Sequence, residues 1–223
     1  MAYPTVNAPY GLKPINLIGG QVFAGQTREL PIASGYGTVI NNGDIVRLSA
    51  GTIVKEAGTT TVSATGVIGV FLGCTYTNPS TGQKLFANSY PGGVSASDIL
   101  AYVADDPDQL FKVAVTGGAT STTITPISGA ILGNNIAISQ PSTNTTISGN
   151  SNIGAYDSGG NTAFTLPLRV VGLVPETTDA SGNYSEVIVK FNEPYITLAE
   201  GAPNVVTYNG GHSYRNPSAP SNV

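Results

Sequence analysis

The sequence predicts an all-β protein: a barrel-like, tulip-like or jelly-roll-like body of short antiparallel strands with extended N- and C-terminal arms. Three observations carry this. Short runs rich in Val, Ile, Phe and Tyr recur along the chain, the residue types that fit a pleated, half-buried surface. Clusters of Gly, Pro and Asn separate them, drawn from 28 Gly and 15 Pro, and these residues mark turns. Only 10% of the residues are charged, so the surface is built from neutral Ser, Thr, Asn and Gly.

Residues 1–35 carry Pro4, Pro9, Pro14 and Pro31 among Tyr3, Tyr10, Leu12, Ile15, Val22 and Phe23. Proline fixes φ and removes a donor, so the stretch reads as an extended arm whose apolar groups need a surface to cover. That surface is either a neighbouring molecule or the edge strand of its own body. The body follows over residues 36–195. GDIVRLS and GTIVKEAG, joined at Ala50 and Gly51, predict a hairpin with a tight turn. GVIGVFLGCTYT, QKLFANSY, DILAYVA and FKVAV are further strands, and after a Gly/Ser/Thr/Asn-rich stretch LPLRVVGLV and SEVIVKF are two more. Residues 196–223, with three prolines after Glu200 and paired glycines, read as a loose C-terminal tail.

The body contains an internal echo. GDIVRLS is similar to GNNIAIS, and GVFLGCTYTNPSTGQKLFANSYP to VVGLVPETTDASGNYSEVIVKFNEP, at an interval of about ninety residues, too long for a solenoid repeat. Two related β-halves, 36–116 and 130–195, would produce this order.

Composition excludes several functions. A net charge of −4 without a basic run gives no row of cations to neutralise phosphates, so no nucleic-acid partner is expected. No stretch approaches the roughly 18 apolar residues of a membrane span, and the N-terminus lacks a signal-peptide pattern. No membrane partner and synthesis in the cytoplasm are the expectations. The single Cys74 lies in an apolar run and reads as a buried thiol.

The candidate catalytic groups read as structural ones, and neither an enzyme nor a cofactor is expected. The lone His212 sits in the tail, without the fixed neighbours a triad or a zinc site requires. Asp105, Asp106 and Asp108 form the densest acidic spot, but Asp106, Pro107 and Gln109 match a helix N-cap, a first-turn proline and a capping-box partner. Glu176, Asp179, Glu186 and Glu193 could supply a carboxylate pair for glycoside hydrolysis, although strand alternation turns Glu186 outward with Ile188 and Lys190, opposite Val187 and Val189. There is no phosphate-binding glycine motif. The sequons at Asn144 and Asn183 occur at a frequency chance explains.

The order of segments resembles the head-decoration, or cement, proteins of tailed phages, particularly phages of aquatic bacteria. The matching text is APYGLKPINLIGGQVFAGQTRELPIASGY, NNGDIVRLSAGTIVKEAG, GVIGVFLGCTYTNPSTGQKLFANSY, LAYVADDPDQLFKVAVTGG, LPLRVVGLVP and YSEVIVKFN, which together cover most of the chain. The resemblance implies a homotrimer on the capsid exterior, seated over local three-fold positions and bridging major capsid protein subunits. It also implies a terminal arm for capsid or neighbour contact, the role expected of Tyr3, Pro4, Tyr10, Leu12, Pro14, Ile15, Val22 and Phe23.

Overall fold

The computed structural model describes residues 6–141, 148–159, 162–193, 195–198 and 206–215. It is all-β, with two six-stranded antiparallel sheets and two small ribbons. The first sheet is built from β2 (Arg28–Pro31), β3 (Ile45–Ser49), β4 (Thr52–Lys55), β5 (Gly69–Thr77), β6 (Lys84–Ala87) and β7 (Leu100–Ala104). Its order is β2-β7-β5-β3-β4, with β6 pairing β5. The second combines β1 (Lys13–Leu17) with β8 (Gln109–Ala114), β10 (Asn135–Ser139), β11 (Gly154–Tyr156), β12 (Leu168–Leu173) and β14 (Glu186–Phe191), in the order β1-β8-β14-β12-β10-β11. The ribbons are β9 (Ile127–Ser128) with β13 (Asn183–Tyr184) and β15 (Tyr195–Leu198) with β16 (Val206–Asn209).

The two sheets repeat one plan. Strands β2, β3, β4, β5 and β7 stand to one another as β8, β10, β11, β12 and β14 do. The register repeats as well. Arg47 faces Val54 and Ser49 faces Thr52, as Ala137 faces Tyr156 and Ser139 faces Gly154. Ile45 faces Val70, as Asn135 faces Arg169. A bulge interrupts the next ladder between Phe71 and Gly73, and again between Val170 and Gly172. Bonds outside the ladders match too: Gly43 N donates to Phe71 O at 2.8 Å and Phe71 N to Asp44 O at 2.9 Å, while Gly133 N donates to Val170 O at 3.0 Å and Val170 N to Asn134 O at 2.9 Å. The echo of GDIVRLS in GNNIAIS thus marks two copies of a five-strand unit. Its second part is misaligned, because β7, and not the QKLFA strand β6, takes the place that SEVIVKF takes in the second sheet.

The boundary between the halves also moves. The strands of the first sheet end at Ala104 and β8 begins at Gln109, so the turn 105–108 separates them, rather than the stretch between 116 and 130. Each sheet curls without completing a hydrogen-bonded barrel. Strand β2 comes up beside β4, where Tyr36 Oη accepts from Lys55 N at 3.0 Å. Strand β8 comes up beside β11, where Thr116 N donates to Ala155 O at 2.8 Å.

Two apolar clusters fill the body. One lies within the first half and includes Val46, Ile53, Ile68, Phe71, Tyr90 and Val103. The other is lined by Phe111, Val113, Ile136, Val170, Val187 and Val189 of the second half and takes in Leu12, Ile45, Val67 and Val70. Alternation explains the division: Val46 and Phe71 face the first cluster, while their neighbours Ile45 and Val70 face away from it and seal the second half. Polar groups reinforce the seam. Buried Asp44 accepts from Ser151 Oγ at 2.5 Å on one oxygen, and from Asn41 N at 2.9 Å and Lys55 Nζ at 2.7 Å on the other. A buried carboxylate needs this degree of pairing.

The predicted hairpin is present. Ala50 and Gly51 link β3 to β4 with φ of 48° and 76°, the paired positive values of a type I′ turn. Cys74 is buried, as its apolar context requires, and burial pushes its thiol pKa up to about 11.

Candidate interaction surface

The segment read as an N-terminal arm is largely part of the body. Leu12 is fully buried in the second cluster, and β1 is the edge strand beside β8, with Lys13 facing Lys112 and Pro14 facing Phe111. An edge strand is where a sheet tolerates proline, whose missing donor would break a central ladder. Pro14 and Ile15 are half-buried, and Phe23 packs against the second cluster. Strand β2, also within the expected arm, pairs with β7. Of the named arm residues only Val22 projects fully, at 77% exposure, accompanied by Ile18 at 53%. Tyr3 and Pro4 lie outside the described residues. The described part of the arm therefore covers an edge of its own fold, the second of the two surfaces the sequence allowed.

Tyr10 shows how firmly that segment is held. Its hydroxyl donates to Glu186 Oε1, and its ring lies 5.7 Å from the Lys112 ammonium, which itself pairs with Glu186 at 3.3 Å. Burial and the adjacent carboxylate push the Tyr10 pKa well above that of a free phenol. Glu186 is accordingly buried and not outward-facing. The expected alternation holds for Val187, Val189 and Phe191, but Tyr10 closes over the first residue of the strand from a distant part of the chain.

The 105–108 region is a turn and not a helix start. Asp106 O accepts from Gln109 N at 3.1 Å and Asp106 Oδ1 from Asp108 N at 2.8 Å, with Pro107 in the second position. The aspartate satisfies a nearby N–H as a cap would, but the chain then enters β8 and no helix follows. Gln109 is buried, and its amide donates to Asn16 O at 3.0 Å and Leu110 O at 2.9 Å, tying β1 to β8. Asp105 and Asp108 carry ion pairs: Asp105 with Arg28 at 2.8 Å, Asp108 with Arg215 at 2.6 Å.

His212, read as a residue of a loose tail, is buried at 1% exposure. The tail docks beside Val67, with Val67 N donating to Gly211 O at 2.9 Å and Ser213 N to Val67 O at 2.7 Å. The His212 ring packs against Phe191 and Tyr214, at centroid distances of 6.1 and 5.3 Å. Nδ1 accepts from Tyr214 N at 3.3 Å, and Nε2 has no hydrogen-bond partner among the described residues. Burial lowers the imidazole pKa to about 4. Tyr214 then reaches Asp105 through a 2.6 Å hydrogen bond, and Arg28 lies 5.2 Å from its ring centroid.

These contacts bring the β1–β2 loop, the 105–108 turn and the docked tail together around a cleft of about 280 Å³ lined by Leu17, Val22, Phe23, Arg28, Asp105 and Tyr214. Exposed Ile18, Val22 and Tyr214 stand near it over paired charges, an arrangement suited to a protein contact. Of the other candidate carboxylates, Glu176 is exposed in the 3-10 turn Pro175–Thr177. Asp179 accepts from Ser181 N and Asn183 N within one turn, and Glu193 pairs with Lys190 and Arg215. Among the described residues no group of three or more His, Cys, Asp or Glu is placed to hold a metal ion, and no helix is long and apolar enough to cross a membrane.

Neither a protein-family model, nor a curated protein, nor a solved structure matches the chain.

Proposed function

We propose that the protein decorates and stabilises the exterior of a tailed-phage capsid, binding the major capsid protein as a homotrimer after synthesis in the host cytoplasm. The observation that carries this reading is the cleft where the β1–β2 loop meets the docked tail. It presents Val22 and Tyr214, with Ile18 beside the 105–108 turn, as exposed apolar side chains on one surface. The segment order that resembles cement proteins supports it further, as does a surface kept soluble by neutral polar groups.

Such a protein acts by mass action: binding the assembled shell and not its separated subunits stabilises the shell by an amount set by affinity and free concentration. Three linked contacts add avidity, so each can be weak. The test is co-sedimentation of the purified protein with undecorated, expanded phage shells, scored for stoichiometry and for the heat resistance of the shell. Saturable binding with raised heat resistance is expected, and Val22→Asp should reduce it. Absence of binding overturns the proposal and directs the search to tail structures or to glycan ligands.

A further inference from the structure

The two halves share a backbone plan but differ in chemistry at one pair of facing residues. In the first half Ile45 faces Val70, both are fully buried, and Leu12 joins their cluster, its N–H donating to Gly43 O at 3.0 Å. The register places Asn135 and Arg169 at the same positions of the second half. An apolar pair under cover in one copy of the unit is an amide and a guanidinium in the other.

There Gly133, Asn134, Asn135, Thr162 and Arg169 line an open pocket of about 240 Å³. Asn135 Nδ2 donates to Ala163 O at 3.0 Å, which fixes the orientation of the amide and leaves its Oδ1 as a buried acceptor with no partner among the described residues. Asn134 is oriented in the same way by the bond from its Nδ2 to Ala130 O at 3.0 Å, so its oxygen is again the end left over. Lys190, opposite Arg169 in the register, pairs with Glu193 at 3.4 Å, whereas Arg169 is exposed and has no acid partner among the described residues. Leu132, next to Gly133, is 52% exposed, and Phe164, next to Ala163, is 62% exposed.

We propose that this pocket binds an acidic sugar, a pyranose that carries a carboxylate. The carboxylate lies on Arg169, ring hydroxyls donate to the amide oxygens of Asn134 and Asn135, and the C–H face of the ring lies against Phe164. A guanidinium matches a carboxylate with two parallel hydrogen bonds. Amide oxygens demand donors, and a buried acceptor is costly to leave unmet. An inorganic anion would satisfy Arg169 but set its own oxygens against those of the amides. An extended peptide would need unpaired backbone, and here the backbone is already used: Gly133 N donates to Val170 O at 3.0 Å, Val170 N to Asn134 O at 2.9 Å and Asn134 N to Ile131 O at 2.9 Å. A few convergent polar groups beside apolar surface are the usual make-up of a small-molecule site. The pocket shares no residue with the cleft at Val22 and Tyr214.

The experiment is titration of the full chain with methyl glucuronide, methyl glucoside, acetate and the dipeptide acetyl-Asp-Gly-amide, followed by backbone amide NMR shifts. The glucuronide should bind saturably in the millimolar range, with the glucoside and acetate each weaker by about tenfold or more, because each lacks one of the two features the pocket reads. Arg169→Gln should weaken glucuronide binding by about tenfold, with thermal unfolding unchanged because the side chain is at the surface. Phe164→Ser should weaken the glucuronide and leave acetate as it was. Failure of the glucuronide to bind, equal binding of acetate, tighter binding of the dipeptide, or glucuronide binding indifferent to Arg169→Gln overturns the inference. No shell enters the measurement, so shell binding stands or falls separately.

Discussion

The hydroxyl of Tyr10 is bonded to the carboxylate of Glu186 across 176 residues of sequence, holding the start of the described chain against the strand at the centre of the second sheet. Tyr10→Phe leaves a buried carboxylate with Lys112 as its remaining charged partner, and it should cost about 1–3 kcal/mol of unfolding free energy. Glu186→Gln in the Tyr10→Phe background should cost less than it does in wild type. Urea denaturation of the four proteins in a double-mutant cycle measures the coupling.

The turn at Ala50 holds a non-glycine residue at φ 48°. Asparagine tolerates that conformation better than alanine, and Asn-Gly is the preferred pair for a type I′ turn. Ala50→Asn should raise stability by about 0.5–1 kcal/mol, read as a higher midpoint in urea with an unchanged slope.

The paired glycines Gly43 and Gly133 provide an internal control. Both adopt positive φ, 96° and 80°, so alanine strains the backbone similarly at each. Only at Gly43 must the methyl displace Leu12 and Gly11. Gly43→Ala should therefore be more destabilising than Gly133→Ala by about 1–3 kcal/mol, the usual cost of overpacking. Equal losses in thermal melts would contradict the close approach of Gly11 and Leu12 to Gly43.

The docked tail predicts an acid-sensitive fold. His212 is held neutral, with its pKa lowered from 6.5 to about 4, so the unfolded chain binds a proton more readily than the native one. The stability that follows from the neutral ring is fully present above about pH 6.5, falls as the pH drops, and is lost by about pH 4, amounting to about 3 kcal/mol at most. His212→Phe should remove this part of the slope between pH 6.5 and 4, measured by thermal melts across that range. Asp105 and Asp106 act to raise the ring's pKa and Arg215 to lower it, each by less than burial does.

Local signals in the sequence are legible. Alternating apolar residues located IVRLS, TIVK and EVIVKF, and the Ala50-Gly51 pair located their tightest turn. The echo between GDIVRLS and GNNIAIS was legible because the strand entry needs a glycine at positive φ in both halves. What depended on distant partners was not legible. Four prolines make residues 1–35 look unpaired, yet Leu12 and β1 find their place beside β8, almost a hundred residues away. His212 looked unconstrained because its anchor is the backbone of Val67. Asp106 carried a correct local signal with two possible continuations, since a carboxylate that accepts from a following N–H can begin a helix or tighten a turn. The cleft combines three segments remote in sequence, and no single run of residues announced it.

The two hairpins at the outer edges of the sheets share a register and differ in the length of chain between their strands. Between Ser49 and Thr52 the chain spends Ala50 and Gly51, whereas between Ser139 and Gly154, in the same register, it spends residues 140–153. The architecture thus already carries a long excursion at this position without shifting a strand, as expected when closure entropy grows only slowly with loop length. The Ala50–Gly51 turn is accordingly a natural point at which to graft a foreign peptide for display.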